Sequence, residues 1–458
     1  MTWVIRRPRR LAAELDWAAS VVMERIMDHA LGFEDGRDGE ILIKAHGRAV
    51  VMPSLLPDLY PMDAAKLPRP PFPVMAERAF RTHSTTHRPP LPVLLGTPEV
   101  RRDGETLHLG ADLFGAAFLL LSGYQEACAG PRDAHDRFPG SESLQVRGDF
   151  IVRPLVDEYA VFLQEALESL LDRDIVPRKV PRTTTHVSCD VDHPFDPLSG
   201  SIFCCMRAAG ADLLLRRSAG LAARRLANMA LSRAGIHRLD PYNTFDWYMD
   251  QCERGGHQVT FFFLAGRTPG VPDGSYEISD PRIRPLLQNI HRRGHRIGLH
   301  GSYMSYRSLD VIVAERNRLA QTLDRLGITT ELRANRQHYL RWDALVTPDL
   351  LDAVGFAEDH TGGFADACGF RFGTAFPFRM WSWSRRCPLR LVQRPLLLME
   401  QTILRGASDR LRMNRLLDSA TDILTAMAGT GGEFHMLWHN SMLLSAAQRQ
   451  GFAEMTNP

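Results

Sequence analysis

Apolar residues in the second half of the chain fall into short runs separated by amphipathic stretches. Thr183–Val187, Val259–Leu264 and Glu433–Trp438 combine β-branched, aromatic and apolar residues, which is typical of buried strands. Pro281–Arg293 and Asp310–Leu326 have helical spacing, and each is followed by a glycine that suits a helix C-cap. Strands that alternate with helices predict a parallel α/β domain.

Further elements complete this part of the chain. We predict strands at His295–Leu299 and Thr329–Arg333, and a short helix at Pro348–Ala353. Residues 198–240 are rich in Arg, Ala and Leu, which indicates helices inserted after the first strand. Polar residues recur where the strands end, and this favours a (β/α) barrel.

The first half of the chain has a less regular pattern of predicted strands and helices. Ile41–Ile43 and Val93–Leu95 are strand-like, Leu155–Leu171 has helical spacing, and Phe114–Leu121 is an apolar helix or strand. A polar, proline-containing linker follows at Arg173–Arg182. We therefore expect an N-terminal α/β accessory domain of unknown role over residues 1–178 and a catalytic domain over residues 183–458. No nucleophile or metal cluster stands out in residues 1–178, so a chain starting near Arg182 is expected to keep some activity.

Composition narrows the class of protein. The 458 residues carry 55 basic and 53 acidic side chains, a balance that gives no reason to expect nucleic-acid binding. The 7 cysteines are odd in number and irregularly spaced, which argues against a disulfide framework and favours a cytoplasmic protein. We find neither a secretory signal nor an apolar run long enough for a transmembrane segment.

Candidate chemistry lies at the strand ends. Carboxyl ends of parallel strands meet at one end of a barrel, and carboxylates with imidazoles suit a divalent metal that activates water. Each residue also has an ordinary alternative: an aspartate that caps a turn, a histidine in a turn, or a histidine in the core. The polar groups, in chain order, are Asp190, Asp192 and His193; His300; Arg336 and His338; Asp359 and Asp366; and His439.

Four motifs resemble the polysaccharide deacetylase superfamily (carbohydrate esterase family four, with a NodB-like barrel). They read SCDVDHP at 188–194, GLHGSYM at 298–304, RQHYLRW at 336–342 and LWHN at 437–440. The similarity covers about residues 183–445 and is to a divergent branch associated with bacterial surface-polysaccharide biosynthesis. It implies a distorted (β/α) barrel and a metal-dependent hydrolase that removes N-acetyl groups from a sugar or polysaccharide.

The resemblance also implies roles for individual residues. Asp190 would be the general base and His439 the general acid, while Asp192 and His300 would bind a divalent metal, most simply Zn²⁺. Met304 stands where the family has a second metal histidine, and a thioether is a poor ligand beside oxygen donors. His338 is the first candidate to replace it, and His193 is the second.

Four more residues complete the predicted site. Arg336 would orient Asp190 or hold the substrate, and Asp359 would position a neighbouring charge. Tyr303 and Trp438 would stack on a sugar ring or belong to the core. Two other functions remain open: a catalytically inactive carbohydrate-binding relative, which the Met304 departure motivates, and a metal hydrolase acting on another ester or amide.

Overall fold

The structure is a computed structural model that describes residues 3–26, 31–75, 90–128, 130–171, 182–232, 236–271, 273–404 and 410–457. Its strands are β1 Trp3–Arg7, β2 Leu31–Asp35, β3 Glu40–Ala45, β4 Arg48–Pro53, β5 Val74–Met75, β6 Leu91–Pro92, β7 Gly96–Asp103, β8 Thr106–Ala111, β9 Thr183–Val191, β10 Val259–Leu264, β11 Arg296–Gly301, β12 Ala334–Gln337, β13 Glu358–Asp359, β14 Phe378–Ser382, β15 Cys387–Gln393, β16 Leu398–Met399 and β17 Gly432–Leu437. Its α-helices are α1 Ala12–Ile26, α2 Leu113–Leu121, α3 Tyr124–Ala127, α4 Leu144–Arg147, α5 Leu155–Leu170, α6 Ile202–Leu214, α7 Ala219–Ser232, α8 Phe245–Arg254, α9 Ile283–Arg292, α10 Leu309–Arg325, α11 Thr347–Val354, α12 Glu400–Leu404, α13 Arg410–Met427 and α14 Ala446–Thr456.

The N-terminal half contains a mixed six-stranded sheet in the order β2-β1-β3-β4-β8-β7. Strand β1 alternates buried and half-buried residues, as expected for a sheet with one face against the core. Helix α5 lies against β4 and β8 and packs on α1 and α2, so the helices cover the apolar face of the sheet. The segment Phe114–Leu121 is buried helix within α2.

The C-terminal half is built on a nine-stranded sheet in the order β14-β15-β13-β12-β11-β10-β9-β17-β16. All its neighbouring strands pair in parallel except β14, which is antiparallel to β15. The sheet curls into a half barrel. No pairing between β14 and β16 closes it within the described ranges, so the predicted barrel is present in an open form.

Two predicted strands lie elsewhere. Val93–Leu95 forms no strand, and the pairing falls instead on the two residues before it, in β6. Thr329–Arg333 is irregular because Thr329 and Thr330 are exposed, while the polar sequence of β12 is buried and pairs with β11 and β13. In both cases burial and strand pairing, more than β-propensity, determine which residues form the strand. Of the predicted linker Arg173–Arg182, all but Arg182 lies outside the described residues.

The two halves pack against each other through one continuous apolar core. The Trp17 ring of α1 lies 5.3 Å from the Trp381 ring of β14, centroid to centroid. Glu126 and Arg371 form a buried pair across the halves, with Nε–Oε1 at 2.9 Å and Nη2–Oε2 at 2.6 Å. The N-terminal half is therefore fixed in place beside the half barrel.

The sequence predicts neither a disulfide framework nor a transmembrane segment. All seven cysteines are unpaired thiols. Among the residues that the structure describes, no helix has the length and apolarity needed to cross a membrane.

Candidate active site

Side chains from four parallel strands gather around one cavity of about 280 Å³. Because β9, β11, β12 and β17 are parallel, their carboxyl ends lie at the same edge of the sheet. The predicted residues that line the cavity are Asp190, Asp192, His193, His300, His338 and His439.

Three of these side chains are arranged as metal ligands. Nε2 of His300 lies 3.3 Å from Oδ1 of Asp192, and Nε2 of His338 lies 3.6 Å from the same oxygen. One ligand atom from each of the three residues lies within 4.8 Å of the other two. A carboxylate with two imidazoles is a donor set that zinc and similar cations accept.

The other ring nitrogens are held in ways that suit this role. Nδ1 of His300 lies 2.9 Å from the carbonyl oxygen of Arg336, and Nδ1 of His338 lies 2.6 Å from Oδ1 of Asp273. Each Nδ1 therefore donates outward, which leaves the Nε2 lone pair facing Asp192. Oδ1 of Asp192 is buried and has no hydrogen-bond partner among the described residues. The residues present thus fit a divalent cation.

Charged groups in the cavity shift the pKa values of Asp192 and His300 in opposite directions. Burial would raise the pKa of the Asp192 carboxyl, but His338, His300 and His439 outweigh it and hold that pKa well below its usual range. Burial would lower the pKa of His300, while Asp190 and Asp192 raise it above the ordinary value. Asp192 is therefore held in the ionised form, which is the form that ligates a metal.

Met304 does not take part in the trio. Its side chain is 46% exposed, and its sulfur lies 3.4 Å from Nη1 of Arg341. His193 lines the same cavity, and its Nδ1 is buried and has no partner in the described part of the chain. The structure places His338, and not His193, in the group with Asp192 and His300.

Asp190 lies between the trio and Arg336. Its Oδ2 is 3.7 Å from Nε2 of His300, and its Oδ1 is 3.6 Å from Nη1 of Arg336. The Arg336 guanidinium has no exposed surface and donates from Nη2 to Oγ of Ser188 at 3.0 Å. Of the two roles expected for Arg336, this position favours orienting Asp190 over holding a substrate.

His439 lines the same cavity and lies next to Asp192 and Glu400. Its Nε2 lies 3.5 Å from Oδ2 of Asp192, while its Nδ1 lies 2.6 Å from Oε1 of Glu400. Burial would lower the pKa of His439, but the carboxylates of Glu400, Asp192 and Asp190 outweigh it and raise that pKa to about 10. These carboxylates therefore favour the protonated form of His439, which can donate a proton.

Two predicted acids lie away from the cavity. Asp359 is fully buried in β13, where Oδ1 accepts from Thr361 N at 3.0 Å and Thr361 Oγ1 at 2.5 Å. Burial raises the pKa of Asp359 to about 6, and the hydrogen bonds from Thr361 and the charge of Arg336 act against this rise. Asp366 accepts from the backbone N–H groups of Gly140 and Ser141 and thus ties the two halves together.

The predicted sugar-stacking residues have other surroundings. Trp438 has no exposed surface, and its ring packs on Phe452 at 5.4 Å while Nε1 donates to Met442 O. Of the two alternatives expected for Trp438, stacking on a sugar ring and packing in the core, its burial favours the core. Tyr303 is half-buried beside the cavity, with its hydroxyl 3.1 Å from Nδ1 of His135 and its ring 3.9 Å from the Arg341 guanidinium. It does not line the cavity itself.

The N-terminal half, for which no catalytic group was expected, contributes one side chain to the lining of the cavity. Arg137 lines the cavity and donates from Nη1 to the carbonyl oxygen of Tyr339 at 2.8 Å. Tyr339 and Leu340 both have positive φ, at 61° and 55°, directly after His338. Non-glycine residues in this region are strained and need support from their surroundings. Arg137 supplies part of that support.

Sequence reasoning missed three residues: Glu400, Asp273 and Arg137. Glu400 directly follows the apolar run Leu396–Met399, so the strand-end rule could have found it. Asp273 comes from an irregular loop after β10, and Arg137 from a loop of the other half. Neither of these two positions carries a periodic signal.

Comparisons with known proteins give limited similarity. Residues 63–172 match a protein family of unknown function (DUF7033). No curated protein matches the chain. Among solved structures, one from Mycobacterium smegmatis, described as a "putative polysaccharide deacetylase", is 17% identical, with a TM-score of 0.38 over 61% of this chain and 85% of that one. Another, from Parabacteroides distasonis and described as a "putative glycoside hydrolase/deacetylase", is 8% identical, with a TM-score of 0.34 over 61% of this chain and 67% of that one. The chain is thus similar, at low identity, to proteins described as deacetylases.

Proposed function

We propose that the protein is a metal-dependent hydrolase that removes N-acetyl groups from a sugar or polysaccharide. One observation carries the proposal: the group of Asp192, His300 and His338 lies beside a carboxylate, Asp190, and an imidazole, His439, in one cavity. Amide hydrolysis needs a base for the attacking water and an acid for the departing nitrogen. The cavity offers both beside a cation site.

A divalent cation held by Asp192, His300 and His338 would polarise the acetyl carbonyl and make water more acidic. The two proton transfers are carried out by side chains of the protein. Asp190, held by Arg336 at 3.6 Å, accepts a proton from the attacking water. His439 donates its Nε2 proton to the amide nitrogen as the carbon–nitrogen bond breaks. The products are acetate and a free amine on the sugar.

The cavity is suited to a small part of a substrate. Its volume of about 280 Å³ is at the lower end of ligand pockets, which usually measure roughly 300–1,000 Å³. An acetamido group and the ring that bears it are of this order of size. The rest of a glycan would then lie outside, near half-buried Tyr303.

The test is acetate release from a panel of N-acetylated oligosaccharides by the untagged, metal-loaded protein. We expect acetate and new free amine in equal amounts. Asp190→Asn should lower kcat by about 10²–10⁴ while the metal content stays unchanged, because Asp190 acts as base and not as ligand. Asp310→Asn, an exposed position on α10, is the matched control and should behave as the wild type.

Three results would contradict the proposal. Release of acetate from esters but not from amides would make the protein an O-deacetylase. Full activity of Asp190→Asn would place the base elsewhere. Binding of acetylated glycans by a metal-loaded protein that releases no acetate would favour the inactive carbohydrate-binding relative.

A further inference from the structure

A second group of histidines lies inside the half barrel, away from the cavity. His186 is on β9, His435 is on β17, and His360 directly follows β13. One ring nitrogen from each lies within 4.8 Å of one from each of the others. The ring centroids are 4.6 Å apart for His186 and His435, 5.2 Å for His186 and His360, and 5.1 Å for His360 and His435. We call these three residues the inner histidine cluster.

The register of the strands sets the position of the cluster. His186 pairs with His435 across β9 and β17, and each precedes a catalytic candidate, Asp190 or His439, by four residues. Side chains alternate between the two faces of a strand, so residues four apart point to the same side. At about 3.3 Å per residue, the cluster lies about 13 Å down the strands from the cavity.

Each ring of the cluster has a buried nitrogen with no hydrogen-bond partner among the described residues: Nε2 of His186, Nδ1 of His360 and Nδ1 of His435. His360 and His435 have no exposed surface. Buried polar atoms are nearly always satisfied, and several unsatisfied ones at one place call for an unseen partner. The three unpartnered nitrogens of the cluster could therefore bind a ligand that accepts lone pairs.

In His360 and His435 the second ring nitrogen has a hydrogen-bond partner, which leaves the lone pair on the unpartnered one. Nε2 of His360 lies 3.2 Å from Oε2 of Glu358, and a carboxylate only accepts, so this nitrogen donates and Nδ1 keeps its lone pair. Oγ of Ser188 lies 3.1 Å from both Nε2 of His435 and the carbonyl oxygen of Met436. When Ser188 donates to Met436, its oxygen accepts from His435, and Nδ1 of His435 keeps a lone pair. Metal-binding histidines are held by outer partners of this kind.

Burial keeps the three imidazoles of the cluster neutral. Burial, followed by Arg394, Arg296 and Arg336, lowers the pKa of His186 to about 3. Burial and neighbouring cationic groups likewise hold the pKa values of His360 and His435 well below the ordinary value. A histidine must be neutral to ligate a metal.

The arginines around the cluster are largely compensated. Glu358 lies 2.8 Å from Arg296 and 3.4 Å from Arg394, and Glu433 lies 2.6 Å from Arg394. Arg336 Nη2 lies 3.1 Å from Nε2 of His435, but it also reaches Oγ of Ser188 at 3.0 Å and donates there. Arg296 and Arg394 are therefore each paired with a carboxylate, and Arg336 donates to Ser188.

We propose that His186, His360 and His435 form a second metal site, which takes one divalent transition metal of the zinc class. Three neutral imidazoles favour Zn²⁺, Cu²⁺ or Ni²⁺ over Mg²⁺ and Ca²⁺, which prefer oxygen. The metal would join β9, β13 and β17 across the inside of the half barrel and stabilise the strands that carry Asp190 and His439. A buried water is the competing occupant, and metal stoichiometry separates the two.

The experiment measures zinc per chain by mass spectrometry after chelation, reloading with Zn²⁺ and dialysis of the untagged full-length protein. We expect two zinc ions in the wild type and one in His360→Gln. His300→Ala, which removes a ligand of the cavity site, should also keep one, and the double variant should keep none. His291→Gln, at an exposed position on α9, is the matched control and should keep two.

The outcomes separate this proposal from the proposed function. One zinc in the wild type and none in His300→Ala would overturn the second site. One zinc in the wild type, one in His300→Ala and none in His360→Gln would support the second site and contradict the cavity site. If His360→Gln does not fold, Co²⁺ loaded into His300→Ala gives a second readout. Intense visible bands of tetrahedral, nitrogen-bound Co²⁺ would support the second site, and only the weak bands of hydrated Co²⁺ would overturn it.

Discussion

The Oε1 atom of Glu400 lies 2.6 Å from Nδ1 and 3.1 Å from the backbone nitrogen of His439. Glu400 has no exposed surface and begins α12, directly after β16. A buried carboxylate bonded to an imidazole favours the charged form of the ring. The geometry therefore fixes both the direction and the protonation of His439.

Glu400→Gln should move the alkaline limb of the rate to lower pH. His439 must be protonated to donate, and a pKa of about 10 means that this form is lost only as pH rises through that value. Glutamine keeps a hydrogen-bond acceptor but removes the charge, so the pKa of His439 falls towards its usual value of about 6.5. The measurement is kcat/KM against pH, with exposed Glu454→Gln as the control. An unchanged alkaline limb in Glu400→Gln would show that His439 is not the acid.

His338→Ala should lose metal affinity, whereas His193→Ala should not. Only His338 lies in the group with Asp192 and His300, and its Nδ1 is fixed by Asp273 at 2.6 Å. Zinc competition with a coloured chelator gives the apparent Kd of each variant. Asp273→Asn should weaken binding less than His338→Ala, by about 10–100-fold, because it acts through the histidine. The opposite ranking of the two histidines would make His193 the third ligand.

Glu126→Gln should destabilise the whole chain. The pair with Arg371 is 2–3% exposed and joins the two halves, so the change leaves a buried guanidinium uncompensated. Breaking such a pair costs about 3–5 kcal/mol. Glu142→Gln, in the more exposed pair with Arg147, should cost about 0–1 kcal/mol. Urea unfolding followed by circular dichroism measures both, and equal midpoints would contradict the structural role of the Glu126 pair.

Arg137→Gln should lower kcat/KM by about 10–100-fold without unfolding the protein, because the turn that follows His338 loses a support and small shifts at a site are costly. Arg147→Gln, on α4 of the same half, is the control and should leave the rate unchanged. A chain that begins at Arg182 lacks Arg137 and also loses the core that the two halves share, so it should be inactive, contrary to the expectation from the sequence. Wild-type kinetics in Arg137→Gln would show that this arginine does not support the site.

The order of the candidate site along the chain could be predicted from the sequence. Asp192, His300 and His439 each follow an apolar strand, and parallel pairing brings such positions together. Position alone also made His338 the first candidate for the third ligand, although the strand before it was misplaced. That strand, β12, reads Ala-Asn-Arg-Gln and is entirely buried, so hydrophobicity could not locate it.

Other features had no signal in the sequence. The inner histidine cluster depends on the cross-strand register of His186 with His435, which only the folded sheet reveals. Trp438 follows the same strand as His439, and the sequence does not say which of two adjacent side chains faces the cavity. Contacts across hundreds of residues, such as Arg137 with Tyr339, are set by packing and not by local pattern.

The hydrogen bond from Arg137 to Tyr339 also bears on how such a chain can change over evolutionary time. Because Arg137 lines the cavity, replacing the first half by that of a distant relative would alter the pocket unless this arginine is kept. Chimeras of the two halves should be active only when the loop that carries Arg137 and the positive-φ turn at Tyr339 and Leu340 come from the same protein. The two halves are thus expected to evolve together. Changes in substrate preference are expected to arise from residues at the contact between the two halves.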